Sequence, residues 1–373
     1  MRSRLSWRLA FVLASSSFAL PALAQVEAPV RAANPTTADR AAIARARRII
    51  ADTMRSLGTP GASICVMRDG RVIWSEGFGF ADLEQQVRST PRSVFRIGSV
   101  SKPLTAAALG LLVQEGKLDL DAEVQRYVPS FPRKPYPITV RQLAGHIAGI
   151  RHYKEGEFQI QKHYDTVLEG LSIFSEDSLL FEPGTKYSYS SYGWNLLAAV
   201  IEGATGEPFL AYMRKAVLLP AGLTHTRPEF ADSIIPFRSR FYVWADSQHM
   251  MVNAPYVDNS YKWAGGGFVS TAEDLARFGQ VMLDGKLLMP ETVKAMWTSQ
   301  RLRDGTETGY GIGWGIVTDS GGRRRIGHTG GAMGGTATLQ IYPEQHLVIA
   351  MLVNTDRTFI GIAPRLAALF IDR

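Results

Sequence analysis

Apolar residues recur at steps of three and four between residues 37 and 57, as Ile43, Ala46, Ile50, Met54 and Leu57, and Gly58 closes the run. That spacing predicts an amphipathic helix. The pattern then changes period. Residues 62–67 and 71–74 are two apolar-rich runs around Arg68-Asp69-Gly70, a hairpin signal. A strand-like run at 94–98 leads into a small-residue stretch at 104–108 that reads as helix. From about 118 to 256 the chain is rich in aromatic and turn residues, and it reads as irregular and mostly helical, with one helix at 196–202. The last third returns to strands. Residues 311–317 and 323–329 form a pair joined through Asp319-Ser320-Gly321-Gly322. Residues 336–342 and 347–354 form a second pair turning at Pro343-Glu344-Gln345-His346, and an apolar helix at 360–371 closes the chain. Strands at both ends of a chain can join one sheet with the terminal helices packed on it. The expected fold is α/β (α+β): an antiparallel sheet flanked by N- and C-terminal helices, with a mostly helical insert at about 118–256 forming one wall of a cleft.

The first 24 residues stand outside that fold. Arg2, Arg4 and Arg8 precede an apolar run at 9–20, and Ala22-Leu23-Ala24 is a small-x-small cleavage pattern. This reads as a secretory signal peptide, so the mature protein is expected to be secreted or periplasmic. Residues 25–36 read as a flexible leader and 37–373 as the folded domain. Removing the signal lowers the formal net charge from +7 by three, a mild basic balance over a long chain. No basic run interleaved with aromatics stands out, so nucleic-acid binding is not indicated. The single cysteine, Cys65, lies in an apolar run and reads as a core residue that has no intramolecular disulfide partner.

Ser99-Val100-Ser101-Lys102 carries the first candidate chemistry. Residues three apart share one helix face, so the spacing sets a hydroxyl beside an amine at a helix start. A lysine of depressed pKa can take the proton of such a hydroxyl, and the helix's free N–H groups can help hold an oxyanion. The second candidate segment runs from Phe181 to Leu197 and contains Tyr187, Tyr189 and Tyr192. A tyrosine on such a loop can shuttle protons in a cleft; the same residues also suit a core with satisfied hydroxyls. The third is Gly327-His328-Thr329-Gly330-Gly331. As an edge strand it can pair with an extended substrate, with His328 offering a carboxylate a hydrogen bond or a charge; it also suits a plain glycine-rich bend. There is no Gly-x-Ser-x-Gly elbow, no His-Glu-x-x-His and no paired Cys-x-x-Cys, so neither an α/β-hydrolase nor a metal site is expected. Gly110…Gly116-Lys117-Leu118 lacks the spacing and the hydroxyl of a phosphate loop.

Taken in order, Ser99-Val100-Ser101-Lys102, Tyr189-Ser190-Ser191 and His328-Thr329-Gly330 resemble the motifs of the penicillin-recognising serine hydrolases, which include class C β-lactamases, D-alanyl-D-alanine carboxypeptidases, D-aminopeptidases and family VIII esterases. Residues 141–150, the Phe-Glu-Pro-Gly turn at 181–184 and residues 264–275 add to the likeness. The resemblance implies that Ser99 is the nucleophile, that Lys102 and Tyr189 move protons, and that the backbone N–H groups of Ser99 and Gly331 form an oxyanion hole. It implies substrate binding by Ser191, His328, Thr329 and Gly330, a small-molecule or peptide substrate (peptidoglycan-related ones among them), no cofactor and no metal. It selects no oligomeric state. Two positions depart from the usual pattern. Ser191 stands where an asparagine is usual, and His328 where β-lactamases carry lysine; both weaken the case for efficient penicillin hydrolysis. The expectation is therefore a peptidase- or esterase-like hydrolase. A class C-like β-lactamase is the first alternative, and a non-catalytic binding protein on the same fold the second.

Overall fold

The computed structural model describes residues 35–357 and 359–372. The signal peptide and most of the leader assigned from the sequence lie outside the described residues. Twelve strands are described: β1 (Gly61–Arg68), β2 (Arg71–Asp82), β3 (Val87–Arg88), β4 (Phe95–Arg96), β5 (Arg227–Pro228), β6 (Tyr242–Ala245), β7 (Met250–Asn253), β8 (Phe268–Ser270), β9 (Gly315–Thr318), β10 (Arg324–Ala332), β11 (Gly335–Tyr342) and β12 (Leu347–Val353). The α-helices are α1 (Thr37–Leu57), α2 (Ser101–Gln114), α3 (Val140–Ala144), α4 (Val167–Leu171), α5 (Ser191–Thr205), α6 (Phe209–Tyr212), α7 (Trp263–Gly266), α8 (Ala272–Leu283), α9 (Pro290–Met296) and α10 (Ala363–Ile371).

The main sheet has seven antiparallel strands in the order β3-β2-β1-β12-β11-β10-β9. It joins both ends of the chain, because β1 pairs with β12 from Ala62↔Val353 to Arg68↔Leu347. Side chains of a strand alternate between faces, and here each face has its own core. Ala62, Ile64 and Val66 of β1, with Leu347, Ile349, Met351 and Val353 of β12, pack with Ala46 and Ile50 of α1 and Leu366 and Phe370 of α10. Cys65, Met67, Val348, Ala350 and Leu352 face the other way, onto α8 and into the larger core that α2 and α5 share. Strands buried on both sides read as unbroken apolar runs, which is why β1 and β12 stand out in the sequence. Cys65 is buried, and burial raises its thiol pKa.

Local signals explain the element ends. Thr36, at the end of the expected leader, caps α1 in a capping box with Asp39, and Gly58 ends the helix in the left-handed conformation. The β1–β2 turn uses Asp69 and Gly70 at positive φ. Some expectations need correction. The helix read at 196–202 starts five residues earlier, at Ser191, because the Ser190 side chain caps it by accepting from the Gly193 N–H. The strand read at 311–317 is confined to β9, since residues 311–314 form a turn with Gly313 at positive φ. The insert at 118–256 is less helical than expected. It includes β5, β6 and β7, and α5 is its one long helix among the described residues.

Candidate active site

Ser99 lies on a single 3-10 turn, Gly98–Val100, between β4 and α2. Gly98 has φ 47°, and a Cβ there would fall 2.4 Å from the Gly331 carbonyl oxygen; a Cβ on Gly330 would fall 1.9 Å from the Ile97 oxygen. Only glycines let the turn and the end of β10 meet this closely. β10 pairs with β9 only from Arg324 to Gly327. From His328 to Ala332 it has β11 on one side and, among the described residues, no strand on the other. The edge foreseen from the sequence is therefore present, and it faces the Ser99 turn. Buried Arg96 of β4 fixes this junction. Its Nε donates to Glu229 at 2.6 Å and its Nη1 to the Met333 carbonyl at 2.7 Å, in the β10–β11 turn.

Lys102 is fully buried on the first turn of α2. Its Nζ lies 2.9 Å from Ser99 Oγ, 3.0 Å from Ser191 Oγ and 2.7 Å from the Gly265 carbonyl oxygen. Burial drives its pKa well below the ordinary lysine range, and the positive field of Lys262 adds to this. The neighbouring Ser101 plays no such part: its Oγ is buried, donates to the Gly98 carbonyl and accepts from the Phe268 N–H.

The three tyrosines of the 181–197 segment separate. The Tyr189 ring lies 4.8 Å from Lys102 Nζ. Burial raises its phenol pKa, outweighing the lowering by the nearby Ser99 and Ser191 hydroxyls. Tyr192 is a core residue, stacked on Phe174 and donating to Glu157 at 2.9 Å. Tyr187 is exposed and packs edge-on against His146. Buried His146 packs 4.2 Å from the Tyr189 ring, and its Nδ1 accepts from the Ser190 N–H. His152 Nδ1 accepts from the Ser191 N–H at 3.1 Å. Burial lowers the pKa of both histidines, that of His152 to about 4, so both rings are neutral at pH 7.

His328 sits across from Tyr189, with ring centroids 6.2 Å apart. Its Nδ1 is 2.5 Å from the Thr329 carbonyl oxygen, which can only accept, so Nδ1 carries the proton. Nε2 then accepts from the Tyr310 hydroxyl at 2.9 Å. Burial lowers the His328 pKa to about 3. While these contacts hold, the ring offers a carboxylate neither an N–H nor a charge, in contrast with the expectation from the sequence.

Two cavities flank this centre. Tyr187, Tyr189, Tyr310, His328 and Thr329 line one. Ser99, Ser191, Gly331, His152, Tyr153, Phe158 and Lys262 line the other, of about 230 Å³. Among the described residues, no group of His, Cys, Asp and Glu is arranged to hold a metal ion, and no helix is long and apolar enough to cross a membrane.

A profile of the beta-lactamase family matches residues 46–370. The chain belongs to the beta-lactamase family. This beta-lactamase-like serine hydrolase is 34% identical over 398 residues to the human (Homo sapiens) mitochondrial serine beta-lactamase-like protein LACTB, across 82% of this chain and 72% of that one. An octameric penicillin-binding protein homologue from Pyrococcus abyssi matches its fold with a TM-score of 0.77 and 25% identity, over 89% of this chain and 78% of the other. A D-stereospecific amidohydrolase from Streptomyces sp. gives 0.74 and 26%, over 87% and 99%.

The fold brings Ser99, Lys102, Tyr189 and Ser191 of this beta-lactamase-family chain together, with His328–Gly331 along the facing edge. It also adds residues that sequence reasoning missed. The Gly265 carbonyl and Lys262 come from around α7, Tyr153 and His152 from the loop after α3, and Tyr310 from the turn before β9. Residues 264–275 stand out in the sequence only as part of the family likeness; the other residues carry no local signal.

Proposed function

We propose that the protein is an exported serine hydrolase that cleaves an amide, peptide or ester bond through an acyl-enzyme on Ser99. The observation that carries this reading is the 2.9 Å approach of a buried, pKa-depressed Lys102 amine to Ser99 Oγ. A neutral amine has two N–H groups and one lone pair. The N–H groups match the Gly265 carbonyl and Ser191 Oγ, and the lone pair accepts the Ser99 proton. Ser99 Oγ attacks the substrate carbonyl, and its proton passes to Lys102. The backbone N–H groups of Ser99 and Gly331 hold the oxyanion. Tyr189, a phenol whose pKa is raised by burial, stays protonated and relays a proton to the leaving group. Water then enters, the same groups run in reverse, and the acyl group leaves as an acid. Residues 1–24 support export.

Within this reading a peptidase- or esterase-like activity ranks above a β-lactamase. His328 is neutral where lysine would supply a fixed charge, and Ser191 is shorter than the usual asparagine. The likeness to a D-stereospecific amidohydrolase supports amide substrates. The complete Ser99–Lys102–Tyr189 set argues against a binding protein without turnover. The test is intact mass against time for the mature protein, with small activated esters and then benzylpenicillin, using Ser99→Ala as control. A Ser99-dependent ester adduct and turnover are expected; equal turnover by Ser99→Ala overturns the site. A transient penicillin adduct with drug consumed makes it a β-lactamase, and a persistent one a penicillin-binding peptidase.

A further inference from the structure

Lys262 is a second buried lysine at the centre, and the chemistry described so far does not use it. It is 2% exposed and lines the same cavity as Ser99, Ser191 and Gly331. Its Nζ lies 4.5 Å from the ring centroid of Phe158, which also lines that cavity, and 5.1 Å from that of Tyr261. Among the described residues its Nζ has no ion pair and no hydrogen-bond acceptor. The acidic group whose field it feels, Glu229, is already held by Arg96 Nε and Asn259 Nδ2, each at 2.6 Å. The amine opens into the cavity, where none of the described residues accepts from it. Lys262 therefore presents its amine to whatever occupies the Ser99 cavity.

We propose that Lys262 is a substrate-reading residue that binds a carboxylate carried on the acyl part of the substrate in the Ser99 cavity. The assignment to the acyl part rests on the reading of Ser99 as nucleophile and Tyr189 as proton donor to the leaving group. Tyr189 and His328 line the other cavity, so the leaving group departs there and the acyl group occupies the Lys262 side. His328 has no N–H to spare and Arg325 lines the other cavity, so among the described residues lining the Ser99 cavity Lys262 is the cation that meets such a carboxylate. Burial lowers its pKa to about 7; an arriving carboxylate favours the charged form, as any close anion does.

The test is a matched pair of esters, 4-nitrophenyl pentanoate and mono-4-nitrophenyl glutarate, which differ by a methyl against a carboxylate at the acyl end. Rates are corrected with Ser99→Ala. Lys262→Met is expected to lower the glutarate-to-pentanoate ratio of kcat/KM at least tenfold, and Lys262→Arg to restore much of it. Using the ratio cancels any change in Lys102 or in folding, which affects both esters alike. An unchanged ratio overturns the proposal. A binding arm on the Ser99→Ala background uses monomethyl glutarate and methyl pentanoate with saturation-transfer NMR. Loss of glutarate preference in Lys262→Met supports the proposal, and equal preference with and without Lys262 overturns it. That arm reads even where turnover fails, so a failure of the Ser99 reading is told apart from a failure at Lys262.

Discussion

Two buried lysines stand at the Ser99 centre, Lys102 beneath it and Lys262 on its cavity wall, and they share burial but not partners. Lys102 is surrounded by three oxygens within 3.0 Å, and Lys262 by two aromatic faces. Burial lowers the pKa of both. The difference teaches that desolvation alone makes an amine basic-ready, while acceptors decide where its lone pair points. Lys102 is aimed because Gly265 and Ser191 occupy two of its three directions and leave the third for Ser99. Lys262 has no such frame, which suits a group waiting for an anion and not a group moving a proton at a fixed atom.

Substituting each lysine breaks the comparison most directly. Lys102→Met is expected to lower kcat/KM by 10²- to 10⁴-fold for neutral and acidic esters alike, with the melting temperature retained. A loss seen only with acidic esters would make Lys102 a binding cation and reverse the two roles. Tyr189→Phe follows, with a loss of about 10²-fold that shrinks for esters with activated leaving groups, since these need less protonation. A loss independent of the leaving group would limit Tyr189 to packing against Lys102.

A pH profile gives a smaller effect with a defined sign. The base works deprotonated, so kcat/KM of a neutral ester rises with pH through the Lys102 pKa, well below the ordinary lysine range. The positive field of Lys262 disfavours protonation of Lys102. Lys262→Met removes that field, which makes Lys102 easier to protonate. The acid limb should therefore move to higher pH, by less than one unit. A shift to lower pH would show that the two amines do not interact as like charges.

The same contrast explains what the sequence could disclose. Ser99 and Lys102 were legible because their meeting needs only a helix-start spacing. β1, β12, α1 and α10 were legible because burial on both faces, or on one stripe, writes a period into the chain. Tyr189 and His328 were picked out by motif order, but their states were not. That Tyr192 is core, that Tyr189 faces Lys102, and that His328 is locked between Tyr310 and the Thr329 carbonyl follow from tertiary contacts. Lys262, His152 and Tyr153 come from segments far from Ser99 in sequence, with no periodicity to flag them. The insert was read as too helical because its order comes from side-chain contacts and not from repeats.

Arg151 is the clearest such contact, and it gives the mildest prediction. Its guanidinium donates to Glu157 at 2.6 and 3.0 Å, to Asp177 at 2.5 Å and to the His152 and Ile173 carbonyls. It thereby pins the loop that carries His152, Tyr153 and Phe158 to the cavity's rim. Burial alone would push the Glu157 pKa up, but Arg151, the Lys154 N–H and Tyr192 outweigh it, and the net shift is downward. Asp177 is lowered chiefly by Arg151. Groups with depressed pKa values give stability that is present above their unfolded values, about 4, and lost as pH falls through the folded ones. Hydrogen-exchange protection of this loop should therefore fall below about pH 4 while that of α2 persists. Arg151→Met should do the same at pH 7, raising KM severalfold and changing kcat for a neutral ester less than twofold. A kcat loss as large as that of Lys102→Met would mean that rim and reacting centre are one unit, because the loop would then be holding Ser191 and Lys102 in place through His152.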